Sequence, residues 1–102
     1  MLSKKLDDFM FSLKNEQYFE AHEDLEEIWF KKRFEDSNEI KLLKGFINAA
    51  VSFELYKRGK LDASKKVWKN YLKYRTLLYK TESKYINKLH HTARYIENTK
   101  LN

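Results

Sequence analysis

With 102 residues, no cysteine, no proline and only two glycines, the chain has length for one core, no route to disulfides or thiolate metal sites, and few of the residues that punctuate sheets. The net charge of +6 is unevenly shared: residues 1–51 carry eight basic and eleven acidic side chains, net −3, while residues 52–102 carry thirteen and four, net +9. Such asymmetry fits either a surface for polyanions or two halves that attract each other, within a molecule or across a dimer.

The N-terminal stretch MLSKKLDDFMFSLK places basic residues before apolar ones, but Asp7, Asp8 and Ser12 interrupt the apolar run and no small-residue cleavage site follows. It is therefore read as a helix and not as a signal peptide. Leu2, Leu6, Phe9, Met10 and Leu13 recur at helical spacing and predict a first helix over residues 3–14. A second is expected from Glu16 to Arg33, with Asn15 as its N-cap. Asp36 followed three residues later by Glu39 resembles a capping box, and it opens a third helix that ends where Gly59 offers a left-handed C-cap. Asp62 is expected to cap a fourth helix reaching Lys80, and Thr81 or Ser83 a fifth over residues 84–98, beyond which the chain is expected to fray. The architecture implied is all-α: one domain over residues 1–102, a bundle of about five helices in up-and-down order with short connections. No apolar run approaches the roughly eighteen residues of a membrane span, so the expected address is the cytoplasm and no membrane partner is expected.

In the third helix, Leu42, Leu43, Phe46, Ile47, Ala49, Ala50, Val51, Phe53 and Leu55 cover most of the circumference, leaving a polar strip of Lys41, Lys44, Asn48 and Ser52. That pattern suits a central helix packed on several sides. Gly45, Ala49 and Ala50 would let a neighbour approach closely.

The second helix carries the chemistry in the string YFEAHEDLEEIW, residues 18–29. Projected at about 100° per residue, His22 and Glu26 fall on the apolar face among Tyr18, Phe19 and Trp29, and Arg33 extends the strip. Four residues apart, the two side chains can meet. One reading is structural: Glu26 accepts from His22 and the buried pair locks this helix against the third. The other is chemical: His22, Glu23 and Glu26 act as metal ligands or acid/base groups, with Glu54 as a further candidate, beside a pocket lined by Tyr18, Phe19, Trp29 and Asn48. HEDLE is neither the zinc-protease HExxH nor the paired ExxH of di-iron bundles, and no cofactor is implied. His90 and His91 add little, because adjacent residues on a helix point about 100° apart. The residues leave open whether the chain is an enzyme.

The fourth helix sets Val67, Tyr71, Tyr74 and Leu78 on one face and Lys65, Lys66, Lys69, Lys73 and Lys80 on the other. A lysine stripe of this kind can track phosphates, although most such faces are simply solvated, and the acidic first half argues against nucleic acid as partner. A second copy, through the apolar third or aromatic fourth helix, or another protein is the expected partner.

The order of these motifs resembles a known family. Tyr18, Phe19, Glu20, Ala21, His22, Glu23, Leu25, Glu26 and Trp29, followed by Leu42, Leu43, Gly45, Lys57, Arg58 and Gly59, resemble the small helical bacterial and archaeal family called domain of unknown function 309. The resemblance covers about residues 17–75 and implies an all-helical bundle with no established activity. Asn48 stands where the family pattern suggests glutamine, and Glu54 where it suggests an aromatic or apolar residue, which weakens Glu54 as a ligand.

Overall fold

A computed structural model describes residues 2–101 as five α-helices: α1 Leu2–Lys14, α2 Tyr18–Lys32, α3 Asn38–Lys57, α4 Leu61–Arg75 and α5 Ile86–Leu101. A 3-10 segment, Thr76–Lys80, continues α4. The fourth helix therefore tightens after Arg75 instead of running as α-helix to Lys80, and α5 runs through Leu101 where fraying was expected from residue 99. None of the described helices is long and apolar enough to cross a membrane.

The two tight connections between helices are built alike. After α1, the Gln17 N–H donates to the Ser12 carbonyl and the Glu16 N–H to that of Leu13; after α3, the Lys60 N–H donates to Leu55 and the Gly59 N–H to Tyr56. Each is a Schellman turn, which needs one residue in the left-handed region. Gly59 supplies it at φ +78° and Glu16 at φ +57°. Asn15 consequently does not cap α2: its side chain donates back to the Phe11 carbonyl at 2.8 Å, and the N-cap is Gln17, without a side-chain cap bond.

Two further caps shift by a residue or two. Ser37, not Asp36, caps α3, its Oγ accepting from the Ile40 N–H. Asp36 instead pairs with Lys41 at 3.1 Å, and Glu39 accepts from Ser83, tying the start of α3 to the loop before α5. Asp62 lies inside the first turn of α4, whose N-cap is Lys60; there its charge still complements the helix dipole. Thr81 donates to the Leu77 carbonyl, while Ser83 Oγ accepts from the Tyr85 N–H just ahead of α5.

α3 lies at the centre, between α2 and α4, and α1 and α5 pack across it. Leu42, Leu43, Phe46, Ile47, Ala49, Ala50 and Phe53 are all buried, and Phe46 stacks on Phe9 of α1 at 6.2 Å. Because each of the Leu, Ile and Phe side chains contributes on the order of 1.5–3 kcal/mol when fully buried, this helix supplies much of the core. Its apolar face is used up inside the monomer, so a dimer through it is not open. The aromatic side of α4 is likewise turned inward, with Tyr71 fully buried and Trp68 packed against the core.

α5 is clasped to α4 by Tyr71, Arg75 and Glu97. Tyr71 Oη donates to Glu97 Oε2 at 2.7 Å and Arg75 Nε to the same oxygen at 2.8 Å. Burial, then the adjacent Glu97, pushes the Tyr71 phenol far above its ordinary range. The Glu97 carboxyl is held below its usual value: burial alone would raise it, but the bonds from Arg75 and Tyr71 outweigh that. A carboxyl lowered on folding stabilises above its unfolded pKa and loses that contribution as pH falls through the folded value. Glu97→Gln should therefore cost about 1–2 kcal/mol at pH 7 and less at the lowest pH at which the fold persists, as read by urea unfolding at both. An equal cost at both pH values would show that the clasp does not depend on the carboxylate charge.

Candidate functional site

α2 buries Ala21, Leu25 and Ile28, and everything else on it is at least partly open to solvent. His22 and Glu26 sit at the border, their side chains 30% and 34% exposed. The expectation of a buried pair is thus corrected: the apolar arc of α2 is narrower than its sequence suggests, because Phe19, assigned to that arc, is 55% exposed. His22 Nε2 lies 3.4 Å from Glu26 Oε2, too poorly aligned to count as a hydrogen bond. Glu26 Oε2 is enclosed yet has no hydrogen-bond partner.

The other expected members of the cluster are elsewhere. Glu23 is exposed, Glu54 is taken by Arg58 at 3.0 Å, and among the described residues no three His, Asp or Glu side chains are grouped closely enough to hold a metal ion. Arg33 does not prolong the seam. Its guanidinium stacks on Phe30 and Phe34, 3.7 and 4.5 Å from their ring centres, and donates to the Phe30 carbonyl. Trp29 is covered by the Lys44 ammonium at 4.2 Å, and Asn48 donates to the Lys44 carbonyl. Tyr18 lines a cavity at the end of the bundle where the two Schellman turns meet α5.

What α2 presents outward is a mixed aromatic and acidic face. Phe19 and Phe30 are each 55% exposed, and at about 100° per residue they fall together with Glu23 and Glu26; Phe34, 87% exposed, follows in the turn after the helix. Among the described residues Glu20 and Glu23 make no ion pair, whereas Glu27 is held by Lys5 and Lys31, which lower its pKa. Only the aromatic content of this face was legible in the sequence. Its exposure was not, since large apolar side chains at helical spacing ordinarily face a core.

On the far side of α3, Lys65, Lys66, Lys69 and Lys73 of α4 are exposed, and none makes an ion pair among the described residues. Leu61 and Leu72, about half exposed, border the stripe. The oppositely charged halves of the chain meet in one salt bridge among the described residues, Lys88 to Asp7 at 3.0 Å. Intramolecular attraction between them is therefore slight.

Residues 6–67 match the family described as Domain of unknown function (DUF309), a span that holds most of α1, all of α2 and α3, and the first turns of α4. No curated protein and no solved structure is significantly similar to the chain.

An unpartnered enclosed carboxylate oxygen costs about 1–3 kcal/mol, against on the order of 0.5 kcal/mol for a partly exposed i,i+4 pair. Glu26→Met, which keeps the length and removes the oxygen, should then raise stability by about 1 kcal/mol in urea unfolding. A loss of stability would make Glu26 a structural partner of His22 instead of a group held at a cost.

Proposed function

The chain belongs to the DUF309 family, and we propose that it works as an interaction module whose recognition surface is the outer face of α2 and whose partner is α4 of a second copy. The observation that carries this is the row of exposed Phe19, Phe30 and Phe34 beside unpaired Glu20 and Glu23. Exposed aromatic rings are enriched at protein interfaces, where they supply large buried area at small entropic cost. Their acidic surroundings call for a basic surface with some apolar area, and α4 offers Lys65, Lys66, Lys69 and Lys73 bordered by Leu61 and Leu72. Two α2 faces would repel each other. The pairing of α2 with α4 puts opposite charges opposite each other, which fixes orientation as well as affinity. His22 and Glu26 sit at the inner edge of this face.

Charge exchange tests this directly. Glu20→Lys with Glu23→Lys makes both faces basic, and Lys66→Glu with Lys69→Glu makes both acidic. In sedimentation equilibrium the wild-type chain should self-associate, each double variant should remain monomeric, and an equimolar mixture of the two should associate, more weakly as salt rises. Failure of the mixture to associate under conditions where the wild type does would overturn the proposal, as would a wild type that stays monomeric at millimolar concentration.

A further inference from the structure

The two Schellman turns and the last turns of α5 enclose a cleft of about 570 Å³, lined by Glu16, Tyr18, Phe53, Tyr56, Lys57, Ser64, Thr99 and Lys100. That volume falls within the range of small-molecule sites, roughly 300–1,000 Å³. None of its lining residues belongs to the interaction face proposed above.

Three of its lining residues, Tyr18, Phe53 and Tyr56, are aromatic. Tyr18 packs on Phe53 at 5.5 Å, and behind the lining Phe53 packs on Trp68 at 5.8 Å and Trp68 on Tyr71 at 4.7 Å. Tyr56 stands 62% exposed at the rim. A planar ligand would find ring faces and edges in such a cleft at the spacings aromatic pairs favour.

Two ammonium groups overhang these rings, and neither makes an ion pair among the described residues. Lys57 Nζ lies 5.9 Å from the Tyr18 ring centre and makes one hydrogen bond, to the Glu16 carbonyl at 3.3 Å. Lys100 Nζ lies 5.9 Å from Tyr56 and 5.5 Å from Trp68, with no hydrogen bond or ion pair among the described residues. An ammonium has three donors, so both have donors to spare. The carboxylates nearby do not cancel them: Glu54 is held by Arg58, which leaves Glu16 against two lysines. The Tyr18 phenol, raised by burial and then by Glu16, Tyr95 and Glu54, stays protonated and able to donate.

We propose that this cleft binds a small aromatic anion, its ring among Tyr18, Phe53 and Tyr56 and its anionic group between Lys57 and Lys100. Both features are needed at once, which distinguishes the site from the lysine stripe of α4, where charge is present without an aromatic wall. The anion can be a phosphate, as on a nucleotide, or a carboxylate, and the two sources are separable.

Adenosine monophosphate and 4-hydroxybenzoate would be titrated into the full chain, with adenosine and inorganic phosphate as half-ligands, following backbone amide shifts by NMR. At least one of the two aromatic anions should bind with Kd below about 1 mM, with shifts confined to residues of the cleft, and which one does so identifies the anion. Either half-ligand should bind at least about tenfold more weakly, and Lys57→Gln with Lys100→Gln should weaken the aromatic anion at least about tenfold, whereas the paired Arg changes should retain it. Both lysines are at the surface, so thermal melting should show the variants folded. No localised shift at about 5 mM of either ligand, phosphate binding as well as the nucleotide, or shifts mapping to Lys65–Lys73 would each overturn the proposal.

Discussion

The bundle rests on how closely α4 approaches α3. A Cβ at Gly45 would stand 2.7 Å from Tyr74 Cβ, so the two helices are nearer there than any other residue would allow. Two turns along α3 from Gly45, Ser52 meets Ser64 of α4 across the same pair of helices: each hydroxyl donates to the other's carbonyl at 2.8 Å, and the oxygens are 3.0 Å apart. Two small residues thereby bury their polar groups in pairs, where unpaired ones would be costly. With α4 seated so near, Tyr71 reaches past α3 to Glu97 and closes α5 onto the bundle. The central helix is then covered on nearly all sides. Only the outer faces of its neighbours and the two ends of the bundle remain for binding, which is where the exposed aromatics and the cleft are found.

That division explains which parts were legible in the sequence. The central helix was legible because its apolar residues run round the whole circumference, and Gly45 already pointed to a close neighbour. The turn at Gly59 was legible because glycine marks the left-handed position. Its counterpart at Glu16 was hidden, since a glutamate there accepts a strain that glycine would avoid. The cap at Ser37 was missed because Asp36 and Glu39 have capping-box spacing, yet Asp36 pairs with a lysine and Glu39 answers a serine from a distant loop. The α4–α5 clasp was missed for a similar reason: Tyr71 and Glu97 are far apart in sequence, and nothing local shows that they meet.

The histidine and its neighbours illustrate the same limit at the site. Helical periodicity correctly joined His22 to Glu26, but it could not tell the edge of a buried face from its centre. A pair at the centre would be a structural lock. At the edge, with one carboxylate oxygen enclosed and unpartnered, it borders a face whose phenylalanines are open to solvent. Natural chains seldom keep exposed aromatic rows and unpaired enclosed oxygens without a use for them. The charge asymmetry acquires a physical meaning in the same frame. α3 separates the acidic aromatic face of α2 from the lysines of α4, so the molecule carries two complementary surfaces that cannot satisfy each other within one chain.

Whether those surfaces meet between chains can be read by paramagnetic relaxation, helped by the absence of native cysteine. A nitroxide on Glu35→Cys, beside Phe34 and exposed, would be placed on unlabelled protein and mixed with isotope-labelled wild type. The expected result is broadening of amides along Lys65–Lys73 of the labelled copy at low salt, fading as salt is raised. Broadening confined to α2, or none while the protein is associated, would contradict the pairing of α2 with α4.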